Sequence, residues 1–278
     1  MFEAGVFFIA LGSGAMGAIL GLGGGIFLVP LLTLLLGLPM KTAVATSLVA
    51  VVATSLSASS SYIRKGLTNI RLGLFLETAT TAGAVAGGFL AAFLNEKVLA
   101  VVFSLVAFYT AGSMLLGNRG ETAVSETCGN EKADPLDLAA RFTDESTGTV
   151  VSYQPQKLFA GSLAGIAAGA LSGLLGIGGG PVKVPIMKIF MGLPLKAAAA
   201  TSNFMVGITA TAGAFVYLFH GFVREDLAAL TVFGIFAGAR LGVAVACKIH
   251  SRYLNLLFVA VLTVIAVRML LRGLGAGG

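Results

Sequence analysis

Two clusters of three glycines, Gly23-Gly24-Gly25 and Gly178-Gly179-Gly180, lie in strongly apolar sequence, and each is followed by a proline, Pro30 and Pro185. Glycine has no Cβ, so a helix can unwind there. The N–H groups freed at the start of the following half-helix, with the positive end of its dipole, make an anion site. Tight helix packing through the pairs Gly21/Gly25 and Gly176/Gly180 is the plainer reading of either cluster alone. Two clusters, each ahead of a short apolar stretch and a proline, favour backbone that meets a substrate. The prolines themselves read as structural kinks. Three ionisable residues stand in similarly apolar surroundings: Lys183, Arg240 in the run GARLG, and Glu77. A charge in such a setting is costly and marks function. Lys183 and Arg240 would bring positive charge to an anion, unless the lysine snorkels to an interface. Glu77 would pair with Arg240 or carry a proton, with interfacial exposure near Arg71 as the alternative. Thr46-Ser47 and Thr201-Ser202, the second pair followed by Asn203, would donate to anion oxygens or else bond back to carbonyls one turn earlier. Lys41 and Lys196, each just after a Gly-Leu-Pro turn, read as anchors at membrane ends.

These residues recur because the chain repeats itself. Residues 21–47 and 176–202 align without gaps at an offset of 155, with 14 of 27 positions identical. Tyr62 and Tyr217, and Gly66 and Gly221, hold the same register. Lys183 and Arg240 break it, since Leu28 and Val85 occupy the matching positions. Glu77 likewise faces Val232. The composition is 57% hydrophobic and 11% charged, against about 25% charged in soluble domains. So few charges cannot cover a water-facing surface, which places the chain in a lipid bilayer. Continuous apolar runs require helices. The expected architecture is an all-α polytopic bundle of two repeats, with room for roughly eight to ten segments of about 20 residues.

Helices are expected near 4–20, 25–36, 41–63, 71–93 and 98–117, then 158–175, 181–191, 196–218, 226–246 and 252–271. The segments 25–36 and 181–191 are too short to span, so each reads as half of a helix broken at mid-depth. The N-terminal MFEAGVFFIALG lacks the basic start of a signal peptide and reads as the first membrane helix. Residues 1–117 and 157–278 form the two repeats, and 118–156 a polar connector. The connector is expected to be solvent-exposed, to leave the halves free to move, and to hold at most a short helix at 135–142. It carries seven acids against Arg119, Lys132 and Arg141. The remainder therefore has 15 basic and five acidic residues, from totals of 18 and 12. Basic residues crowd the loop at Arg64, Lys65 and Arg71 in the first repeat. In the second they crowd the next loop, at Lys248, His250 and Arg252. If basic loops face the cytoplasm, 64–71, 118–156 and 247–252 share that side, and the repeats are inverted.

Other chemistries find no support. Residues 12–17, GSGAMG, match a dinucleotide-binding glycine pattern, but no acid follows at the required distance, so they read as packing glycines. Cys128 and Cys247 show no disulfide or metal spacing. No Ser/His/Asp set or metal cluster falls on one helix face, so neither an enzyme nor a metal or cofactor site is expected. Nucleic-acid binding would need a soluble basic face.

The paired G-[LI]-G-G-G-x(3)-V-P signatures and the G-L-P-x-K-x-A-x-A-T-S run after each, with a hydrophilic connector between halves, resemble the TauE/SafE sulfite exporter family. The likeness covers 5–117 and 157–272. It implies a cytoplasmic-membrane transporter, an exporter by the family's name, of small sulfur-containing or organic anions such as sulfite, thiosulfate or sulfoacetate. The family's motif positions fall on Gly23–Gly25, Pro30, Lys41, Thr46, Ser47, Gly178–Gly180, Pro185, Lys196, Thr201 and Ser202. The expected mechanism is alternating access, the two halves rocking about a mid-membrane site. The expected partners are the bilayer, the anion and a coupling ion, proton or sodium, with oligomerisation left open. An anion channel and a membrane-embedded enzyme or non-transport subunit are the rivals.

Overall fold

The computed structural model describes residues 2–20, 22–117, 138–143, 149–246 and 251–275. Ten helices follow in chain order: α1 (Phe2–Leu20), α2 (Gly25–Leu35), α3 (Met40–Arg64), α4 (Ile70–Phe93), α5 (Glu96–Gly117), α6 (Leu158–Leu175), α7 (Gly180–Pro185), α8 (Leu195–Phe219), α9 (Glu225–Ala246) and α10 (Ser251–Gly273). The expected segments match these to within a few residues. The 155-residue offset survives in three dimensions, since α2, α3, α4 and α5 begin that distance before α7, α8, α9 and α10. Among the described residues, six helices are long and apolar enough to cross a membrane: α3, α4, α5, α6, α8 and α9. Pro30 lies inside a regular α2, whereas Pro185 ends α7 and a π-helical turn, Ile186–Phe190, completes the half-helix.

Packing interleaves the repeats. α1 lies along α9, and α6 lies along α4. α1, α2, α3 and α9 form one bundle, and α6, α7, α8 and α4 form its counterpart; α3 crosses α8 between them, and α5 pairs with α10. Each bundle thus takes its fourth helix from the other repeat. The two sequence halves are therefore not two separate packing units, as the chain's order suggests, because α4 and α9 are exchanged. Small residues make this exchange close. Gly234, Gly238 and Gly242 of α9 rest on the carbonyls of Phe7, Leu11 and Ala15, leaving no room for a Cβ. Gly83 and Gly87 of α4 do the same on Ile166 and Ala170 of α6. In the absence of a hydrophobic force between helices in lipid, such backbone contact carries the packing. Gly14, from the GSGAMG run, likewise meets the Ile235 carbonyl, and Gly17 meets Gly24.

Where α3 and α8 cross they run antiparallel. Leu48 reaches Gly213, and further along α3 Ser55 reaches Gly207 and donates to the Asn203 carbonyl at 2.5 Å.

The connector differs from expectation. Where a short helix is expected, Ala140–Thr143 forms strand β1, paired antiparallel with β2, Val150–Tyr153. Arg-Phe-Thr and Val-Val-Ser-Tyr are rich in β-branched and aromatic residues, and Phe142 and Tyr153 turn inward from each strand, as a half-buried hairpin requires. Their rings meet edge-on at 6.3 Å. With Leu138 they pack into one buried cluster with Leu72, Ile186 and Met187, so this part of the connector is a docked cap rather than a free linker. Asn69, the N-cap of α4, donates to the Leu138 carbonyl at 2.8 Å, accepts from the Leu72 N–H, and bonds the Tyr153 side chain. Burial pushes the Tyr153 phenol above its ordinary range, and the Asn69 bond offsets part of that. The hairpin and the α3–α4 loop therefore lie on one side of the molecule, around a pocket lined by Lys65 and Arg141. Residues 118–137, Cys128, Cys247 and the basic loop at 247–250 lie outside the described residues.

Candidate functional site

The two glycine breaks meet. Gly23 and Gly24 have φ of 75° and 78°, and Gly178 and Gly179 both have 74°. These are left-handed conformations that side-chain-bearing residues rarely adopt. Each turn ends one helix and starts a half-helix. The first bonds inside α2 run from Phe27 and Leu28 to the Gly24 carbonyl, and inside α7 from Val182 and Lys183 to the Gly179 carbonyl. The N–H groups before them are left over by the helical pattern. Val51 and its repeat mate Val206 stand beside Gly23 and Gly178 alike, which puts both breaks at the α3–α8 crossing. Gly25 abuts the Gly176 carbonyl, to which Ser47 donates at 2.8 Å. Gly180 starts α7 and is buried. The predicted glycine, Ser47 and Asn203 positions thus come together at one centre.

Polar groups here are buried and incompletely used. Asn203 donates to the Ala18 carbonyl at 3.4 Å, but its side-chain oxygen has no partner. The hydroxyls of Thr46, Ser13 and Ser172 are likewise buried and unpartnered. The Ser13 carbonyl and the Ser172 side chain crowd Gly24 and Gly179, respectively. Thr201, predicted beside the substrate, instead accepts from the Asn69 N–H at 3.0 Å and joins α8 to the start of α4. Ser202 is fully buried.

Lys183 is 3% exposed and Glu77 is 3% exposed, so neither reaches an interface. They form an ion pair, Nζ to Oε2 at 3.2 Å. The Thr209 hydroxyl lies 2.5 Å from Nζ, and it also bonds Glu77 Oε1. Thr80 donates to Oε2 at 2.7 Å and Thr81 to Oε1 at 3.2 Å. Arg240, the other partner considered for Glu77, is exposed on α9 with its guanidinium 5.6 Å from the Phe236 ring. It takes no part in this cluster, because α9 belongs to the opposite bundle. Lys41 donates to the Ala92 carbonyl in the last turn of α4 at 2.7 Å and covers the Phe222 ring. Lys196 is exposed at the start of α8.

Sequence reasoning missed Thr209, Thr80, Thr81, Ser13 and Ser172. A signal for Thr209 was present: Thr54 lies 155 residues earlier, a hydroxyl kept in both repeats. Both bond back to the carbonyl four residues before, Thr54 to Ala50 and Thr209 to Met205.

Interleaved apolar bundles, paired helix breaks and a polar centre closed off from solvent define a multi-pass helical membrane protein. The family follows from comparison. Residues 6–269 match the family described as sulfite exporter TauE/SafE, and the chain belongs to it. It is therefore a multi-pass membrane transporter, not an enzyme. A Bacillus subtilis protein named probable membrane transporter protein YunE is 27% identical over 282 residues, covering 97% of this chain and 98% of that one. A probable membrane transporter protein of Methanocaldococcus jannaschii, MJ0441, is 26% identical over 93% of this chain and 91% of its own. An Arabidopsis thaliana sulfite exporter TauE/SafE family protein 5 is 36% identical over 86 residues, 31% of this chain and 19% of its own. No solved structure matches the chain.

Proposed function

We propose that this protein is a secondary transporter of small sulfur-containing or organic anions, such as sulfite, thiosulfate or sulfoacetate, and that it exports them across the cytoplasmic membrane. The substrate class and direction rest on the family. The site is the pair of opposed half-helix starts at Gly23–Gly25 and Gly178–Gly180, with Thr46, Asn203, Ser13 and Ser172 around them. One observation carries this reading: Ser13 and Ser172, which touch Gly24 and Gly179 at the breaks, have buried hydroxyls without a protein partner, and so does Thr46, next to Ser47 in the chain. Leaving such a group unsatisfied costs about 1–3 kcal/mol, and the oxygens of an anion at the break would satisfy it.

The repeats are inverted in this reading, which the antiparallel crossing of their equivalent helices α3 and α8 supports. Alternating access then moves the two interleaved bundles about that crossing. Counterflow in proteoliposomes is the test, with thiosulfate, sulfite and sulfoacetate as substrates and acetate as control. Saturable uptake of label driven by unlabelled anion inside is expected. Flux without counterflow would make the protein a channel, and no flux of any of them would overturn the reading.

A further inference from the structure

We infer that Glu77 is a proton-binding site whose protonation releases Lys183 to the transported anion, so that one proton accompanies each anion. This deepens the transport reading above and rests on it.

In the structure the carboxylate is fully engaged. Thr209 and Thr81 occupy Oε1, and Thr80 and Lys183 occupy Oε2. The pair is net neutral, so its ammonium offers an anion no charge. Yet Lys183 is the residue that spans from the break to the acid. It lies in the first turn of α7, and its Cε stands beside Gly179, 3.3 Å from where a Cβ would be. The ammonium therefore has two competing anionic partners within reach of one flexible stem: Glu77, and whatever occupies the break.

The surroundings leave Glu77 nothing else to answer to. α6, packed along α4, contains no ionisable residue. α8 contributes Lys196, 13 positions before Thr209, and Tyr217, whose hydroxyl is bonded to the Leu174 carbonyl. On α4 itself Arg71 lies six residues, or about 9 Å of helix, away. Lys188 is on the π-helical turn beyond Pro185, and Arg141 and Tyr153 are on the hairpin. Among the described residues only Lys183 is an ionisable group bonded to Glu77.

The charges balance. A carboxylate–ammonium pair takes up one proton and one monoanion and becomes a carboxylic acid beside an ammonium–anion pair, neutral before and after. A dianion would carry one net negative charge across. Such a carrier is driven by the product of proton and anion concentrations on the two sides, so an anion accumulated inside leaves with a proton. Only one bundle can do this. At the matching positions the other has Leu28, Val232 and Thr54. One proton site per cycle follows.

The experiment uses full-length protein in proteoliposomes with an internal pH dye and thiosulfate or sulfoacetate as the probe. The wild type should acidify the lumen as the anion enters. Its apparent affinity should fall by about tenfold per pH unit once Glu77 is deprotonated, since one proton must be bound for each anion. In Glu77→Gln, which mimics the protonated acid, whatever counterflow remains should run without proton movement and without the pH dependence. Wild-type counterflow with no acidification and pH-independent affinity would overturn the inference while leaving the transport reading standing. So would proton movement by Glu77→Gln. Absence of all counterflow in the wild type would fail the transport reading itself. Should Glu77→Gln not fold, the wild-type measurements decide alone.

Discussion

The two bundles share a scaffold and differ in charge. In the second, Glu77 of α4, Lys183 of α7 and Thr209 of α8 form one buried hydrogen-bonded cluster. In the first, the same places on α9, α2 and α3 hold Val232, Leu28 and Thr54. Leu28 and Val232 there belong to an apolar cluster, and Thr54 bonds only to its own helix at the Ala50 carbonyl. The breaks, turns and packing glycines are common to both bundles. What differs is one acid and one base, introduced together. The lesson is that the scaffold does not need the ion pair, since the first bundle holds the same arrangement without it. A buried pair is also weak as a source of stability, because desolvation offsets most of the attraction. Its retention in one bundle points to use rather than support.

The comparison can be broken by removing half the pair. Lys183→Leu or Glu77→Val alone leaves one buried charge without its partner, and stability should fall by about 3–5 kcal/mol. Thermal unfolding in detergent should show it, along with poor expression. Little change in either variant would mean that water already reaches the pair.

The shared part should respond equally in both bundles. Gly24→Leu and Gly179→Leu each put a side chain on a left-handed residue at a cost of about 1–2 kcal/mol. They also press a side chain against the Ser13 carbonyl or against Ala168 and Ser172. Both should abolish counterflow while protein still reaches the membrane. Wild-type transport by both would reduce the breaks to packing.

Arg240→Gln should do least. The arginine is exposed and meets a phenyl ring in the opposite bundle, an interaction of about 0.5–1 kcal/mol. Apparent anion affinity should be unchanged, as a concentration series would show. A large loss would return Arg240 to the substrate path.

Much of this arrangement was legible beforehand because the repeat and the apolar periods are strong local signals. Helix ends and both half-helices followed from glycine clusters, Gly-Leu-Pro turns and segment length, whereas the sequence leaves Lys183 between burial and snorkelling and its place in the bundle decides it. What the chain concealed was pairing across distance. Glu77 and Lys183 are 106 residues apart, and the exchange of α4 and α9 between bundles depends on small-residue contacts that many other glycines could equally have made. Arg240 looked equivalent to Lys183 because both break the repeat in apolar sequence; only the face each residue takes within its bundle tells them apart. The hairpin was hidden for another reason. Its strands are four residues each, within reach of either a short helix or a strand, and docking on Leu72 and Met187 decides between them.

The most direct test of the account is to make the second bundle a copy of the first, with Glu77→Val and Lys183→Leu combined, and to measure stability and thiosulfate counterflow on the same preparation. The predicted result is a protein about as stable as the wild type, or more so, that no longer performs counterflow. A stable double variant with wild-type counterflow at unchanged affinity would contradict the account, and would leave anion binding to the helix breaks and hydroxyls alone.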